Sequence, residues 1–264
     1  MTNSSIPASA TRFVTTEQRA QYATDGYCVL PAVLPDEDLQ LLLTESDRAI
    51  EAIHAEMERR GTNVLGGSRR GLQYIPGNVR HQQPELREFL FGALMREVCS
   101  ELVGPQAHLI WDQFSIKLGA ATAGADTGYG TDGNPQSLGT FSWHQDSGYV
   151  PVDHAPYLTC WIAIDPTNEA NGAIRVIPFP EIGVRTRVTH VADPDNGDLT
   201  GYFGTSTGRL VEVPAGSLVC FSSTLFHSSG RNVTDQPRRA YIAQYSPSAA
   251  GAAGDTIWAD AEPV

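Results

Sequence analysis

Apolar residues recur at helical spacing through the first hundred or so positions and alternate with polar ones through most of the rest. After a Ser/Thr/Ala-rich stretch over residues 1–12, expected to be a disordered tail, Thr15-Thr16-Glu17 opens a short helix. Asp25-Gly26-Tyr27-Cys28-Val29-Leu30 then reads as a turn entering a strand. Pro35-Asp36-Glu37 is a helix start, with acidic side chains at the positive end of the dipole. Leu39, Leu42, Leu43, Ser46, Ile50, Ile53 and Met57 keep one face of that helix apolar or small through about Arg60. A Gly-rich loop follows at residues 66–71, and the stretch from Pro84 to Val103 predicts another amphipathic helix. From His108 to Leu118 the period changes to two, which puts Trp111, Gln113, Ser115 and Lys117 on one face of a strand. Further strand-like runs lie at 157–165, 173–178, 183–191, 209–213, 217–222 and 239–245, separated by turn signals such as Asn171-Gly172 and Pro214-Ala215-Gly216. The Gly/Ala/Thr/Asp-rich segment 119–139 predicts a long loop leading into the next strand, and is read as a lid. With no internal repeat or linker, residues 13–264 are expected to form one mainly β domain with flanking helices. Its core is expected to be a double-stranded β-helix, a jelly roll of the cupin kind.

Composition narrows the function classes. A charge of −12 over 264 residues gives no basic face for phosphate backbones or anionic lipid surfaces. Nucleic acid and membranes are therefore not expected partners. The first residues lack the basic start and apolar run of a signal peptide. Cys28, Cys99, Cys160 and Cys220 are scattered, with no C-x-x-C pair, as reduced core thiols of a cytoplasmic enzyme would be. The expected partner is a freely diffusing small molecule, and the expected state a monomer or homodimer.

The candidate chemistry is concentrated in four residues. Trp143-His144-Gln145-Asp146 is followed 83 residues after His144 by His227, and Arg238 stands eleven residues further on. Two histidines and a carboxylate form the facial triad of mononuclear non-haem iron(II) oxygenases, which leaves the opposite face of the ion open. If His144 and Asp146 share one strand they point the same way, and a distant strand can supply His227. An arginine nearby can hold a carboxylate co-substrate through two parallel hydrogen bonds. Strand alternation leaves both Arg238 and Arg239 open for that role.

The chain resembles the phytanoyl-CoA dioxygenase-like family of Fe(II)- and 2-oxoglutarate-dependent oxygenases. The resemblance runs through Thr16-Glu17-Gln18, Asp25 to Pro31, Trp143 to Tyr149, Trp161 to Asp165, Asn171 to Ile174, His227-Ser228-Ser229-Gly230, Asn232 and Pro237-Arg238-Arg239-Ala240. It implies that His144, Asp146 and His227 are the iron ligands. It also selects Arg238 for the distal carboxylate of 2-oxoglutarate, with Ser229 beside it and Gln113 and Lys117 as further contacts; Trp161 is read as core packing, as a wall of the co-substrate pocket, or as both. The implied reaction consumes O2 and 2-oxoglutarate, releases succinate and CO2, and oxidises a C–H of a small metabolite. Pro178-Phe179-Pro180-Glu181 replaces the family's Pro-Gly-Ser-His turn, so an acyl-CoA substrate is not assumed. Asp146 fills the position that halogenases of this type leave to chloride. Candidate substrate contacts are Tyr149, Phe141, Trp111, Arg69 and Arg70; if these arginines or Arg80 line the pocket, the substrate carries a carboxylate or phosphate. The alternative is a cupin-like isomerase or dioxygenase that does not use 2-oxoglutarate.

Overall fold

Two antiparallel sheets face one another, and helices cover the outer face of the larger one. This computed structural model describes residues 12–119, 139–192, 198–249, 258 and 260–264. The expected tail (all but its last residue) and all but the two ends of the expected lid lie outside the described residues. The helices are α1 (Thr16–Asp25), α2 (Asp36–Arg60), α3 (Leu86–Leu90), α4 (Ala93–Leu102) and α5 (Phe179–Ile182). Eight strands build the barrel: β1 (Tyr27–Leu30), β2 (His108–Lys117), β3 (Phe141–His144), β4 (Leu158–Ala163), β5 (Ile174–Ile177), β6 (Ser217–Ser222), β7 (Phe226–Ser229) and β8 (Arg238–Ser246). The major sheet runs β1-β6-β4-β8-β2 and continues into three two-residue strands between residues 64 and 74. The minor sheet runs β5-β7-β3, with Arg209–Leu210 on the outer side of β5.

The helical stretch reads as its caps dictate. Thr15 closes a capping box with Gln18, and Gly26 ends α1 in the left-handed conformation. The stretch expected as one helix from Pro84 to Val103 is two, α3 and α4, separated at Phe91-Gly92. The run 183–191, read as a strand, is irregular up to the two-residue strand Val191–Ala192, while α5 precedes it. Its exposed residues lack the paired, alternately buried surface that holds a strand.

Period two in the major sheet now has a spatial meaning. One set of alternate residues (Leu158, Cys160 and Ile162; Leu218 and Cys220; Tyr241, Ala243 and Tyr245) packs under the helices with Leu42, Leu90 and Val98. The opposite set (Trp161 and Ala163; Val219 and Phe221; Ala240) faces the minor sheet with Ile174 and Val176. Because the sheet is the middle of three layers, β4 and β6 are buried on both faces. The four cysteines are buried free thiols.

Arg80 has a structural role rather than the substrate contact considered for it. Its guanidinium is fully buried and donates to Asp112 Oδ1 at 2.7 Å, while Asp112 Oδ2 accepts from Arg80 N and, at 2.8 Å, from Tyr241 Oη. Arg80 also reaches Asp260 O and Glu262, which ties the chain's last residues to β2. Replacing Asp112 by Ala removes the buried carboxylate that Arg80 and Tyr241 share and leaves Arg80 only its longer pair with Glu262, and we expect a loss of about 3–5 kcal/mol. Urea denaturation of the variant beside the wild type measures it.

Candidate metal centre and co-substrate pocket

The minor sheet brings the two histidines together. His227 on β7 is the direct cross-strand partner of His144 at the end of β3, and both rings are buried. Asp146 is not on the strand with His144, as the H-x-D spacing had suggested. The strand ends at His144, and Asp146 opens a 3₁₀ turn, Asp146–Tyr149, that swings its carboxylate back over the histidines. Asp146 Oδ1 lies 3.8 Å from His144 Nε2 and 3.5 Å from His227 Nε2. One ligand atom from each of the three side chains falls within 4.8 Å of the others.

The donor set fits a divalent ion. Nδ1 of His144 donates to Ser142 O at 2.7 Å, and Nδ1 of His227 donates to Leu225 O at 3.2 Å. In each case the proton is held on Nδ1 and the Nε2 lone pair is turned toward Asp146, the arrangement that orients a metal-ligating imidazole. Burial pushes the His144 imidazole well below its ordinary range, and the neighbouring His227 adds to this, so it stands ready as a neutral ligand. The residue between the ligands works as a staple. Gln145 is fully buried, donates to Thr186 O and Thr224 O, and accepts from Val188 N.

The major sheet supplies the other end of the same cavity. Arg238 on β8 and Lys117 on β2 are direct partners in the ladder, and each is only 1% exposed. Arg238 Nη1 donates to Ser115 O at 3.1 Å, and its Nε has no partner. Its guanidinium sits 5.6 Å from the Trp161 ring. Lys117 Nζ donates to Ser229 Oγ at 2.7 Å and to Gly230 O at 2.5 Å, and lies 5.1 Å from the Phe141 ring centre. Neither cation has a carboxylate within ion-pair distance among the described residues. Burial draws the Arg238 guanidinium down to about 10, and burial with the Arg238 charge draws Lys117 well below its usual value. Arg239, the other candidate, points away and holds Asp165 through two hydrogen bonds of 2.9 and 3.0 Å. Alternation along β8 leaves both open; the fold turns Arg238 into the cavity and Arg239 away from it.

A model of the phytanoyl-CoA dioxygenase family matches residues 22–240. The chain belongs to that family. Like the family, it is a non-haem Fe(II)- and 2-oxoglutarate-dependent dioxygenase that uses O2. A 2-aminoethylphosphonate dioxygenase from Uncultured bacterium HF130_AEPn_1 is 25% identical over 238 residues, covering 89% of this chain and 82% of that protein. An L-proline trans-4-hydroxylase from Streptomyces griseoviridis is 24% identical over 253 residues, covering 87% of this chain and 85% of that one. The fold is shared with EvdO2 from Micromonospora carbonacea var. aurantiaca complexed with 2-oxoglutarate, at a TM-score of 0.64 and 18% identity, covering 88% and 90% of the two chains. The cupin-like alternative without 2-oxoglutarate therefore has no support.

Not every expected contact of the dioxygenase reaches the cavity. Gln113, Phe141, Trp161, Ser229 and Arg238 line it together with His144, Asp146 and His227, while Lys117 stands behind Ser229. Tyr149 sits at the rim, half exposed, with its ring edge against His144 at 5.5 Å. Trp111 is outside the lining and donates from Nε1 to Gln113 Oε1 at 2.9 Å. Arg70 is turned to α2, where it donates to His54 O and Glu58, and Arg69 donates to Gly66 O. Neither arginine lines the cavity, so the condition for an anionic substrate is not met by them. Thr159, Ile242 and Gln244 line it as well and were not singled out, although Thr159 shares a face with Trp161, and Ile242 and Gln244 share one with Arg238.

The buried Lys117 gives a pH-dependent expectation. A lysine whose folded-state pKa is depressed weakens the fold fully below that folded value, and the penalty vanishes as pH rises to the unfolded value. Lys117→Met should therefore raise the unfolding free energy of the co-substrate-free protein at pH 7 by about 0.5–2 kcal/mol, seen as a higher urea midpoint. The gap to wild type should close as pH approaches 10, which denaturation at a series of pH values checks.

Proposed function

We propose that His144, Asp146 and His227 bind Fe(II), that Arg238 holds the distal carboxylate of 2-oxoglutarate, and that the enzyme hydroxylates an unactivated C–H of a small metabolite. The observation that carries this reading is the pairing, in one cavity, of a three-donor metal site with the buried Arg238, which has no carboxylate within ion-pair distance among the described residues and is backed by Lys117 behind Ser229. Bound iron and 2-oxoglutarate supply the O2-dependent oxidation, with succinate and CO2 released. The chain's own residues orient and exclude. Arg238 presents a planar fork to a carboxylate. The Ser229 hydroxyl, fixed by Lys117, stands beside it, and Trp161 walls the pocket against water. Phe141 and Tyr149 flank His144 on the open side, where an apolar part of the substrate would lie against the metal. The names of the two relatives give small molecules, 2-aminoethylphosphonate and L-proline, as what those enzymes act on. A specialised metabolite or small organic acid is the matching class here, with 2-oxoglutarate as the one obligatory dianion.

His227→Ala should abolish stoichiometric Fe(II) binding, read by metal analysis after anaerobic loading and desalting. Arg238→Ala should weaken 2-oxoglutarate binding by about 2–5 kcal/mol, because the Lys117 charge and Ser229 remain without the partner that completes the site. Arg239→Ala should leave that affinity unchanged and lower stability instead, through loss of the Asp165 pair. Anaerobic titration of the Fe(II) protein with 2-oxoglutarate checks the ranking, and the reverse order assigns the co-substrate to the other arginine.

A further inference from the structure

The two histidines belong to the minor sheet, yet the carboxylate between them is held from the major sheet. Thr159 Oγ1 donates to Asp146 Oδ2 at 2.5 Å, and Gln244 Nε2 donates to the same oxygen at 3.1 Å. Gln244 Nε2 also lies 3.3 Å from Thr159 Oγ1, so the three groups close a triangle. Thr159 on β4 and Gln244 on β8 are direct cross-strand partners, and Thr159 is fully buried. The amide orientation follows from the chemistry. A carboxylate only accepts, so Gln244 must turn its NH2 toward Asp146, because the flipped amide would set oxygen against oxygen. The hydroxyl proton is likewise committed to Asp146, because the carboxylate can only accept and the Gln244 amide that also reaches Oγ1 is itself a donor.

The consequence is a division of labour between the two carboxylate oxygens. Oδ2 carries both hydrogen bonds, while Oδ1 is the atom that faces the two imidazole Nε2 atoms. Resting on the metal assignment above, we infer that Thr159 and Gln244 are a positioning pair that locks Asp146 so that it offers Oδ1 alone to the ion. A carboxylate free to rotate could chelate through both oxygens and occupy a place needed by co-substrate or O2. Its fixation also prevents Asp146, on a 3₁₀ turn past the strand end, from drifting off the metal. Because β8 carries both Gln244 and Arg238, the same strand registers the metal ligand against the co-substrate anchor. Partners of this kind orient ligands without touching the metal.

The test uses the full-length protein, stripped of metal by chelation and titrated with Co(II) without 2-oxoglutarate. Co(II) affinity and its visible ligand-field spectrum are the readouts, since band intensity follows coordination number. Thr159→Val, which keeps the shape and removes the donor, should weaken Co(II) binding roughly ten- to a hundred-fold. It should also alter the spectrum. Gln244→Met should do the same to a lesser degree, with the Thr159→Ser variant restored to wild-type affinity and spectrum. Gln244 is only half-buried and provides an independent arm should Thr159→Val fail to fold. Wild-type affinity and spectrum in both Thr159→Val and Gln244→Met, with His227→Ala still losing metal, would overturn the positioning role alone. Wild-type metal binding that survives His227→Ala would overturn the metal assignment, and this inference with it.

Discussion

Two desolvated positive charges set the terms for the rest of this fold. Lys117 and Arg238 face each other across a ladder in the middle layer of the molecule, with helices behind them and a second sheet in front. Burying a charge without a partner is costly, and like charges side by side raise the cost. The surroundings answer only in part, with Ser115 O, Ser229 Oγ, Gly230 O and two aromatic faces. The carboxylates that act on them, Asp198 on Lys117 and Asp165 on Arg238, do so from beyond ion-pair distance, and in the proposed function a dicarboxylate co-substrate would bring the charge that is missing. The apo protein would then carry a destabilising feature that binding relieves, an exchange of stability for affinity.

The second constraint is that the three candidate metal ligands, all carried by the minor-sheet side, are held in place from both sides of the gap between the sheets. His144 and His227 are cross-strand neighbours on the minor sheet, each with its ring turned by a carbonyl two residues upstream. Such a pair is stiff, because both backbones are held by the ladder and both tautomers by a hydrogen bond. Asp146 has neither support and lies beyond the strand, where its hydrogen bonds to the major sheet replace what the ladder gives the histidines. The cavity is therefore shaped by the separation of two sheets, which Trp161, Ile174, Val176 and Phe221 packed between them help to fix, three of these also lining the cavity.

Polar residues that looked interchangeable in one dimension have separated into different tasks. Arg80, Arg238 and Arg239 lie on or against the major sheet. Arg80 closes a buried cluster with Asp112, Tyr241 and Glu262; Arg239 pairs with Asp165; Arg238 alone faces the cavity without an acid. What separates the three arginines in the fold is the presence or absence of a carboxylate within ion-pair distance.

Much of this was legible in the chain. Strict alternation in 108–118 and 239–245 placed Gln113, Ser115 and Lys117 on one face and Arg238 with Gln244 on another, because side-chain direction in a strand depends only on parity. The identity and spacing of His144, Asp146, His227 and Arg238 named the chemistry, since few other functions need that set. Three things were decided in three dimensions. Helix breaks and strand pairing, as at Gly92 and in 183–191, depend on what a segment packs against rather than on its own pattern. The resemblance selected Arg238 over Arg239, but which face of β8 meets the minor sheet was visible only in the fold. The partners of Asp146 came from the register of β4 with β8, which joins residues 159 and 244; parity says which way each points, but only the ladder says that they meet.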